Sequence, residues 1–320
     1  MLVRFWGTRG SLPVAPTAEA IRRKIANALL SVDGRRFEDR AEAERYVEQE
    51  LSFAAGASYG GASPCVELEA GDGSYFICDM GSGLRPFGLD SLRRNAAGHR
   101  KTYNFFLSHL HWDHIMGFPF FAPAFDPNAT VRIHAAHPDA EQALRRQQEE
   151  ISFPVPFDWL KANIEFVQLT PGERLEVDGV QIETKLQAHS HVSYGFRFTD
   201  TDQRSVIYST DSEHKLDNMA AEAAFIDFFR EADLVICDTM YSLAESVSMK
   251  EDWGHSSNLV AIDLCHEAQA KKLALFHHEP TYDDEDIQRM YEESIRYEEL
   301  TRQGLPLEVI CSYDGLEVRV

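Results

Sequence analysis

The stretch SHLHWDHIMGFPFF, residues 108–121, places His109, His111 and His114 around Asp113 within six positions. Three imidazoles and a carboxylate this close gain nothing from sharing an apolar core. A metal ion is the simplest reason to hold them together. The run YNFFLS that precedes them reads as a strand, so the motif is delivered at a strand end, where sites are commonly built. In extended backbone His109 and His111 point the same way and can grip one ion. Asp113 and His114, past the turn, are free to grip another. Imidazole nitrogen with carboxylate oxygen suits zinc first, with manganese or iron as alternatives, and the absence of thiolates argues against a structural zinc site.

The elements that must position these groups are strands in the majority. Strand-like runs start at LVRFWG and continue with CVELEA (65–70), SYFICDMG (74–81), YNFFLSH (103–109) and TVRIHAA (130–136). Later come IEFVQL (164–169), VQIETKLQA (180–188), YGFRFT (194–199), SVIYSTD (205–211), DLVICD (233–238), KLALFHH (272–278) and LEVICSYDGLEVRV (307–320). β-Branched and aromatic residues with partial alternation carry these assignments. Ile21, Ile25 and Leu29 recur at helical spacing, and residues 139–150, 216–231, 257–268 and 283–303 also read as amphipathic helices. The order predicts an α+β chain, two sheets covered by helices on their outer faces, forming a single domain over 1–320. A charged, Ala-rich helical insertion at about 17–56 stands apart, either as a packed appendage or as a lid or dimerisation element.

Composition bounds the partners. The formal charge is −21 over 320 residues, which repels a phosphate backbone and disfavours long nucleic acid. The five cysteines, at 65, 78, 237, 265 and 311, form no CxxC pair; a disulfide framework is not expected, and a reducing, cytoplasmic setting fits better. Neither a signal peptide nor an apolar run of the roughly 18 residues of a membrane span is visible, so no membrane partner is expected.

The motifs, taken in series, resemble the metallo-β-lactamase fold and within it the phosphodiesterase branch. That branch holds ribonuclease Z and smaller bacterial enzymes described as cyclic-nucleotide phosphodiesterases. The resemblance rests on VRFWGTRGSLPV, YGGASPCVEL, CDMGSGLRPFG, SHLHWDHIMGFPFFAP, AHSHVSYGFRF, YSTDSEH, WGHSS and LALFHHEP. It implies an αββα sandwich of two mixed β-sheets flanked by helices, with two divalent metals where the sheets meet. It makes His109, His111 and His189 ligands of the first metal and Asp113, His114 and His277 ligands of the second, with Asp211 bridging both. His191 competes with His189, and His278 with His277; the family register favours His189 and His277. Ser190, His191 and Val192 stand where the family more often has Pro or Gly. Asp79 is expected to orient the ligand loop without touching metal.

The resemblance makes His255, in WGHSS, the group that would protonate the leaving oxygen; the alternative is that His255 and Ser256 merely cap the helix starting near Ser257. Asp113 is the second catalytic expectation, orienting or deprotonating the water. The implied reaction is attack of a metal-bridging hydroxide on a small phosphodiester, a 3′,5′-cyclic nucleotide being the leading candidate. Lactone or thioester hydrolysis at the same two-metal site, and tRNA-processing cleavage, are the alternatives. No long basic or Gly/Pro-rich insertion suggests a tRNA-binding arm. A homodimer is implied by resemblance only. Glu213 and His214 are rim candidates, and Trp112, Phe118, Phe120 and Phe121 could stack on a nucleobase, though a core role is favoured for them. His99, His134, His137 and His266 carry no motif context.

Overall fold

The computed structural model describes residues 1–70, 73–95, 101–214, 219–242 and 254–320. Two seven-stranded sheets face each other. The first has the order β14-β1-β2-β3-β4-β5-β6 and the second β13-β12-β11-β10-β9-β8-β7. In chain order the strands are β1 (Leu2–Gly7), β2 (Cys65–Glu69), β3 (Tyr75–Cys78), β4 (Thr102–Leu107), β5 (Thr130–Ala135), β6 (Asn163–Gln168) and β7 (Arg174–Val177). They continue with β8 (Val180–Ala188), β9 (Val192–Thr199), β10 (Ser205–Ser209), β11 (Leu234–Asp238), β12 (Lys272–Phe276), β13 (Glu308–Cys311) and β14 (Glu317–Arg319). Each sheet is mixed: β3 to β6 run parallel and β1 to β3 antiparallel, while β10 to β13 run parallel and β7 to β10 antiparallel.

Strands β3, β10 and β11 are buried along their whole length, which explains why they read as continuous apolar runs rather than alternating ones. Their inner faces meet in a layer containing Phe5, Phe76, Phe106, Phe196, Phe198, Tyr208, Ile236 and Phe276. Helix Leu84–Arg94 and the Phe118–Phe125 turns cover the first sheet from outside. Helices Met219–Phe229 and Asn258–Glu267, with Tyr291 and Ile295 of Asp284–Thr301, cover the second.

One local reading is corrected, and two elements absent from it appear. The run 307–320 is not one strand: β13 joins the second sheet and β14 the first. The chain crosses between them through a turn at Gly315 (φ 97°), and Asp314 accepts from the amides of Gly61 and Ala62. Helix Leu84–Arg94 escapes the sequence reading because Pro86 and Gly88 sit inside it. Pro86 lies in the first turn, where its missing N–H costs nothing, and Gly88 lets the Phe121 ring approach, since a Cβ there would lie 2.9 Å from Cδ2. Strand β7 is short and half-exposed, too weak a pattern to read. The 17–56 segment forms helices Ala18–Ser31 and Arg40–Glu50, each N-capped by a side chain (Thr17 and Asp39), and a single turn Phe53–Gly56. Residues 216–218 of one expected helix, His99 and Trp253 lie outside the described residues. No described helix is long and apolar enough to cross a membrane.

Phe106 is the pin of the inner layer. It is fully buried, stacked on Phe76 and His134 and edge-on to Phe196 and Phe198 of the opposite sheet. Phe106→Ala is expected to destabilise the fold by about 3–5 kcal/mol, measured as a shift in urea unfolding with unchanged slope.

Candidate metal centre

Six strands end at one edge of the sandwich, and the residue at or just past each end faces the same space. Asp79 follows β3, His109 follows β4 and Ser108, His189 follows β8, Asp211 lies two residues past β10, Asp238 closes β11 and His277 follows β12. Three of these, Asp79 (φ 61°), Asp211 (φ 50°) and His277 (φ 64°), adopt left-handed backbone. Non-glycine residues avoid that region unless their surroundings impose it, and such strain gathers at functional positions. The turn reverses the chain at once and aims each side chain back over the strand ends.

The ligand atoms of His109, His111 and His189 all lie within 4.8 Å of one another, and so do those of Asp113, His114 and His277. Asp211 stands between the two trios. Its Oδ1 is 3.7 Å from Nε2 of both His109 and His189. Its Oδ2 is 3.1 Å from His114 Nε2 and 3.3 Å from His277 Nε2. Asp113 Oδ2 is 3.0 Å from His114 Nε2 and 3.4 Å from His277 Nε2, and it accepts from the Ser11 amide at 3.0 Å. As expected from their two-residue spacing, His109 and His111 turn to the same side, ring centroids 4.4 Å apart.

Outside the trios, a layer of hydrogen bonds fixes which ring nitrogen faces inward. Asp79, fully buried, accepts from the Ser108 amide and hydroxyl, the Tyr208 hydroxyl and His114 Nδ1, at 2.7–2.8 Å. Nδ1 of His114 is thereby the protonated nitrogen and Nε2 is presented to the cage. His189 Nδ1 donates to the Gly254 carbonyl at 2.8 Å, again leaving Nε2 inward. Gly254 holds φ 84°, and a Cβ there would fall 2.4 Å from that same Nδ1, so only glycine brings the carbonyl this close. A Cβ on Gly117 would lie 2.0 Å from the Gly81 carbonyl oxygen; these two glycines let the Asp79 loop and the His114 loop pack backbone to backbone.

The pocket's charge calls for a cation. Burial pushes the Asp113 and Asp211 carboxyls up, yet the surrounding imidazoles win and hold both well below the usual carboxylate range. Burial likewise pushes His114 down, but Asp113, Asp211 and Asp79 raise it well above the ordinary histidine value. His109 goes the other way, driven down by burial and then by its histidine neighbours. A proton on His114 is the charge these carboxylates collect, and a metal ion at Nε2 would take its place. His109 Nε2 is buried with no hydrogen-bond partner although its ring faces this space. Orphaned imidazole nitrogen beside buried carboxylate oxygen is the donor set of a divalent cation site, so the residues fit the implied metals: His109, His111 and His189 for one, Asp113, His114 and His277 for the other, with one oxygen of Asp211 offered to each.

The competing histidines are separated by the geometry. His191 is exposed and meets only the outer face of His111, ring centroids 5.5 Å apart. His278 turns away, its Nε2 donating to the Ser312 carbonyl at 2.8 Å, and burial lowers its pKa to about 3. His214 does not reach the rim; its ring packs edge-on against Phe225 at 4.4 Å. His134 lies in the core, His137 donates to the Ser108 carbonyl and His266 approaches Glu298.

His255 lies over both trios, its ring centroid 5.2 Å from His189 and 5.1 Å from His277, the latter stacked. Ser257, not His255, caps the following helix through the Val260 amide. A residue the sequence reading passed over completes this corner. Asp238, fully buried, accepts from His255 Nδ1 at 2.6 Å and from the Met240 amide at 3.0 Å. Burial alone would lower His255; Asp238, reinforced by Asp211 and Asp113, raises it to about 9. The signal for Asp238 was its place at a strand end, shared with Asp211 in a strand of the same type.

A family model described as a beta-lactamase superfamily domain matches residues 88–278. A ribonuclease Z of Oceanobacillus iheyensis is 23% identical over 244 residues, spanning 61% of this chain and 77% of the relative. Among solved structures, the metallo-beta-lactamase fold protein YhfI of Bacillus subtilis superimposes with a TM-score of 0.63 at 19% identity, covering 99% of this chain and 98% of YhfI. A diphosphatase of the PhnP family gives 0.61 at 19% identity, covering 100% and 97%. The two mixed sheets with helices outside are thus the metallo-β-lactamase fold.

On this geometry His277→Ala is expected to lower the divalent metal retained per chain, as counted by elemental mass spectrometry after dialysis. His278→Ala is expected to leave that count unchanged.

Proposed function

This chain belongs to the beta-lactamase superfamily, and from that premise we propose that it is a metal-dependent phosphodiesterase acting on small phosphodiesters, with 3′,5′-cyclic nucleotides as the leading substrates. The observation that carries the reading is the Asp238–His255 pair beside the double cage. Ester cleavage at phosphorus expels an alkoxide, a poor leaving group that needs a proton, and this is the task such a pair is built for. Thioester hydrolysis at the same cage expels a thiolate that needs no proton and gives His255 no evident task. A lactone expels an alkoxide as a phosphodiester does, and is told apart by assay on an acyl substrate.

Two divalent ions held by the trios would supply Lewis acidity to the phosphoryl oxygens and acidify a water. The chain's own groups do the rest. Asp113, fixed by the Ser11 amide, turns Oδ2 toward the space between His114 and His277 and would orient the water or accept its proton. Asp211 holds the two trios at a fixed separation. His255, with Nδ1 engaged by Asp238, keeps Nε2–H available to the departing oxygen. Asp238 acts through His255 as a positioning residue.

A nucleotide fits the surroundings. Trp112, between His111 and Asp113, is 77% exposed and Phe120 54%, while Phe118 and Phe121 are fully buried in the core beneath. The four aromatics therefore divide into two anchors and two exposed rings able to stack on a base. The charge of −21 disfavours long nucleic acid as substrate, so the processing of tRNA, suggested by the ribonuclease Z relative, ranks below a small phosphodiester.

Metal-loaded protein is expected to hydrolyse 3′,5′-cyclic AMP, and Asp211→Ala to lose activity and metal together. Retention of turnover by that variant would overturn the bridging role. His255→Ala is expected to keep its metal and lose roughly 100-fold or more in kcat on cyclic AMP, but far less on bis(p-nitrophenyl) phosphate, whose leaving group needs no proton. Equal losses on both would contradict the general-acid role. His255 is protonated below about 9 and bound cations push that value down. Turnover of cyclic AMP should therefore fall as pH rises along an alkaline limb at or below about 9, and Asp238→Asn should move the limb to lower pH.

A further inference from the structure

Strand β10 ends at Ser209, and the next two residues are Thr210 and Asp211, the second in left-handed backbone with φ 50°. Both are buried, Thr210 completely. The Thr210 hydroxyl donates to Oδ2 of Asp211 at 2.7 Å. This is the oxygen that lies 3.1 Å from His114 Nε2 and 3.3 Å from His277 Nε2. Oδ1, on the other side, is 3.7 Å from Nε2 of both His109 and His189. The last torsion of an aspartate is soft, so a carboxylate left free can turn and give both oxygens to one ion. A hydrogen bond to one oxygen fixes that turn. The hydroxyl is itself well held. Gln187, two residues before His189 on β8, is buried; its Nε2 donates to the Thr210 carbonyl at 2.7 Å and its Oε1 accepts from the Ser209 hydroxyl at 2.6 Å. Gly195 on β9 leaves room for this amide, since a Cβ there would lie 2.5 Å from Gln187 Oε1. β-Branching restricts Thr210 further. Three adjacent strands of the second sheet, β8, β9 and β10, thus set the direction of one hydroxyl.

We propose that Thr210 is a positioning residue for the metal centre. Its hydroxyl holds the Asp211 carboxylate with one oxygen toward each trio, and so sets how tightly the Asp113–His114–His277 trio takes its cation. Groups that hydrogen-bond to a ligating carboxylate orient it and tune the ion it holds. The inference rests on the two-cation reading above and adds the group that keeps the two positions distinct. Thr210 acts only through Asp211.

The test is a titration of the metal-free full-length protein with manganese or zinc against a competing chelator of known affinity. The wild-type chain is expected to bind two ions. Thr210→Val keeps the shape and removes the donor; it is expected to weaken one binding step by roughly 10- to 100-fold and to leave the other unchanged. Thr210→Ala removes the same donor without setting a methyl against the carboxylate, and is expected to show the same loss should the valine variant not fold. Thr210→Ser keeps the hydroxyl and is expected to bind both ions as the wild type does. In a His277→Ala background, where that trio is already broken, Thr210→Val is expected to add little, because groups acting through one site are not additive. Electron paramagnetic resonance of the manganese-loaded wild type should show two spin-coupled ions, and that of Thr210→Val at the same loading isolated ones. Undiminished affinity for both ions without the hydroxyl overturns the inference. So does a loss in Thr210→Ser as large as in Thr210→Val, which would make the role one of packing. A wild-type chain that binds a single ion overturns the two-cation reading and this inference with it, and is told apart because the failure then lies in the unsubstituted protein.

Discussion

Two carboxylates, Asp113 and Asp211, bring oxygens to within 3.4 Å of the same imidazole nitrogens in a space closed to water on most sides. Ionised groups at that depth need compensating positive charge, and among the described residues neither carboxylate pairs with a lysine or arginine. The imidazoles alone must carry it, which explains the opposed behaviour of neighbouring rings: His114 is driven toward the protonated form and His109 toward the neutral one. A divalent cation in each trio would resolve that conflict, with every imidazole neutral and every carboxylate ionised.

The rest of the fold can be understood as the means of imposing this arrangement. Each sheet ends its parallel strands at the same edge, and the inner aromatic layer, with Phe106 at its centre, locks the two sets of strand ends together. Left-handed turns at Asp79, Asp211 and His277 convert strand direction into side-chain direction. Asp79 then ties both sheets to one ligand: Tyr208 reaches it from β10, and Ser108 and His114 from beyond β4. Backbone strain at the ligand positions is sustained because the core on both sides leaves the chain no room to relax.

Much of this was legible in the sequence because its signals are local. His109, His111, Asp113 and His114 fall within six positions, and their strand-then-turn setting fixes how they share a space. The strands were legible for the same reason, since β-branched and aromatic runs mark them wherever they lie. What escaped was long-range or compensated. Helix Leu84–Arg94 hides behind Pro86 and Gly88, whose acceptability depends on the first turn and on Phe121 more than thirty residues away. The split of residues 307–320 between two sheets depends on Asp314 meeting Gly61 and Ala62. Asp238 has no motif of its own; it reaches the site only because β11 lies beside β12 and delivers it under His255. Amphipathicity in residues 18–31 was visible, but which face would turn outward was decided by Asp283, Asp284 and Glu285, far along the chain.

The central proposal is that the two trios would hold two cations acting as one hydrolytic unit, with Asp211 offering an oxygen to each. Its most direct measurement is a titration of metal-free protein with zinc or manganese, following bis(p-nitrophenyl) phosphate hydrolysis against metal bound per chain. The account predicts that activity stays low through the first equivalent and reaches its full value as the second binds. Full activity at one equivalent, or no phosphodiester turnover with two ions bound, would contradict it.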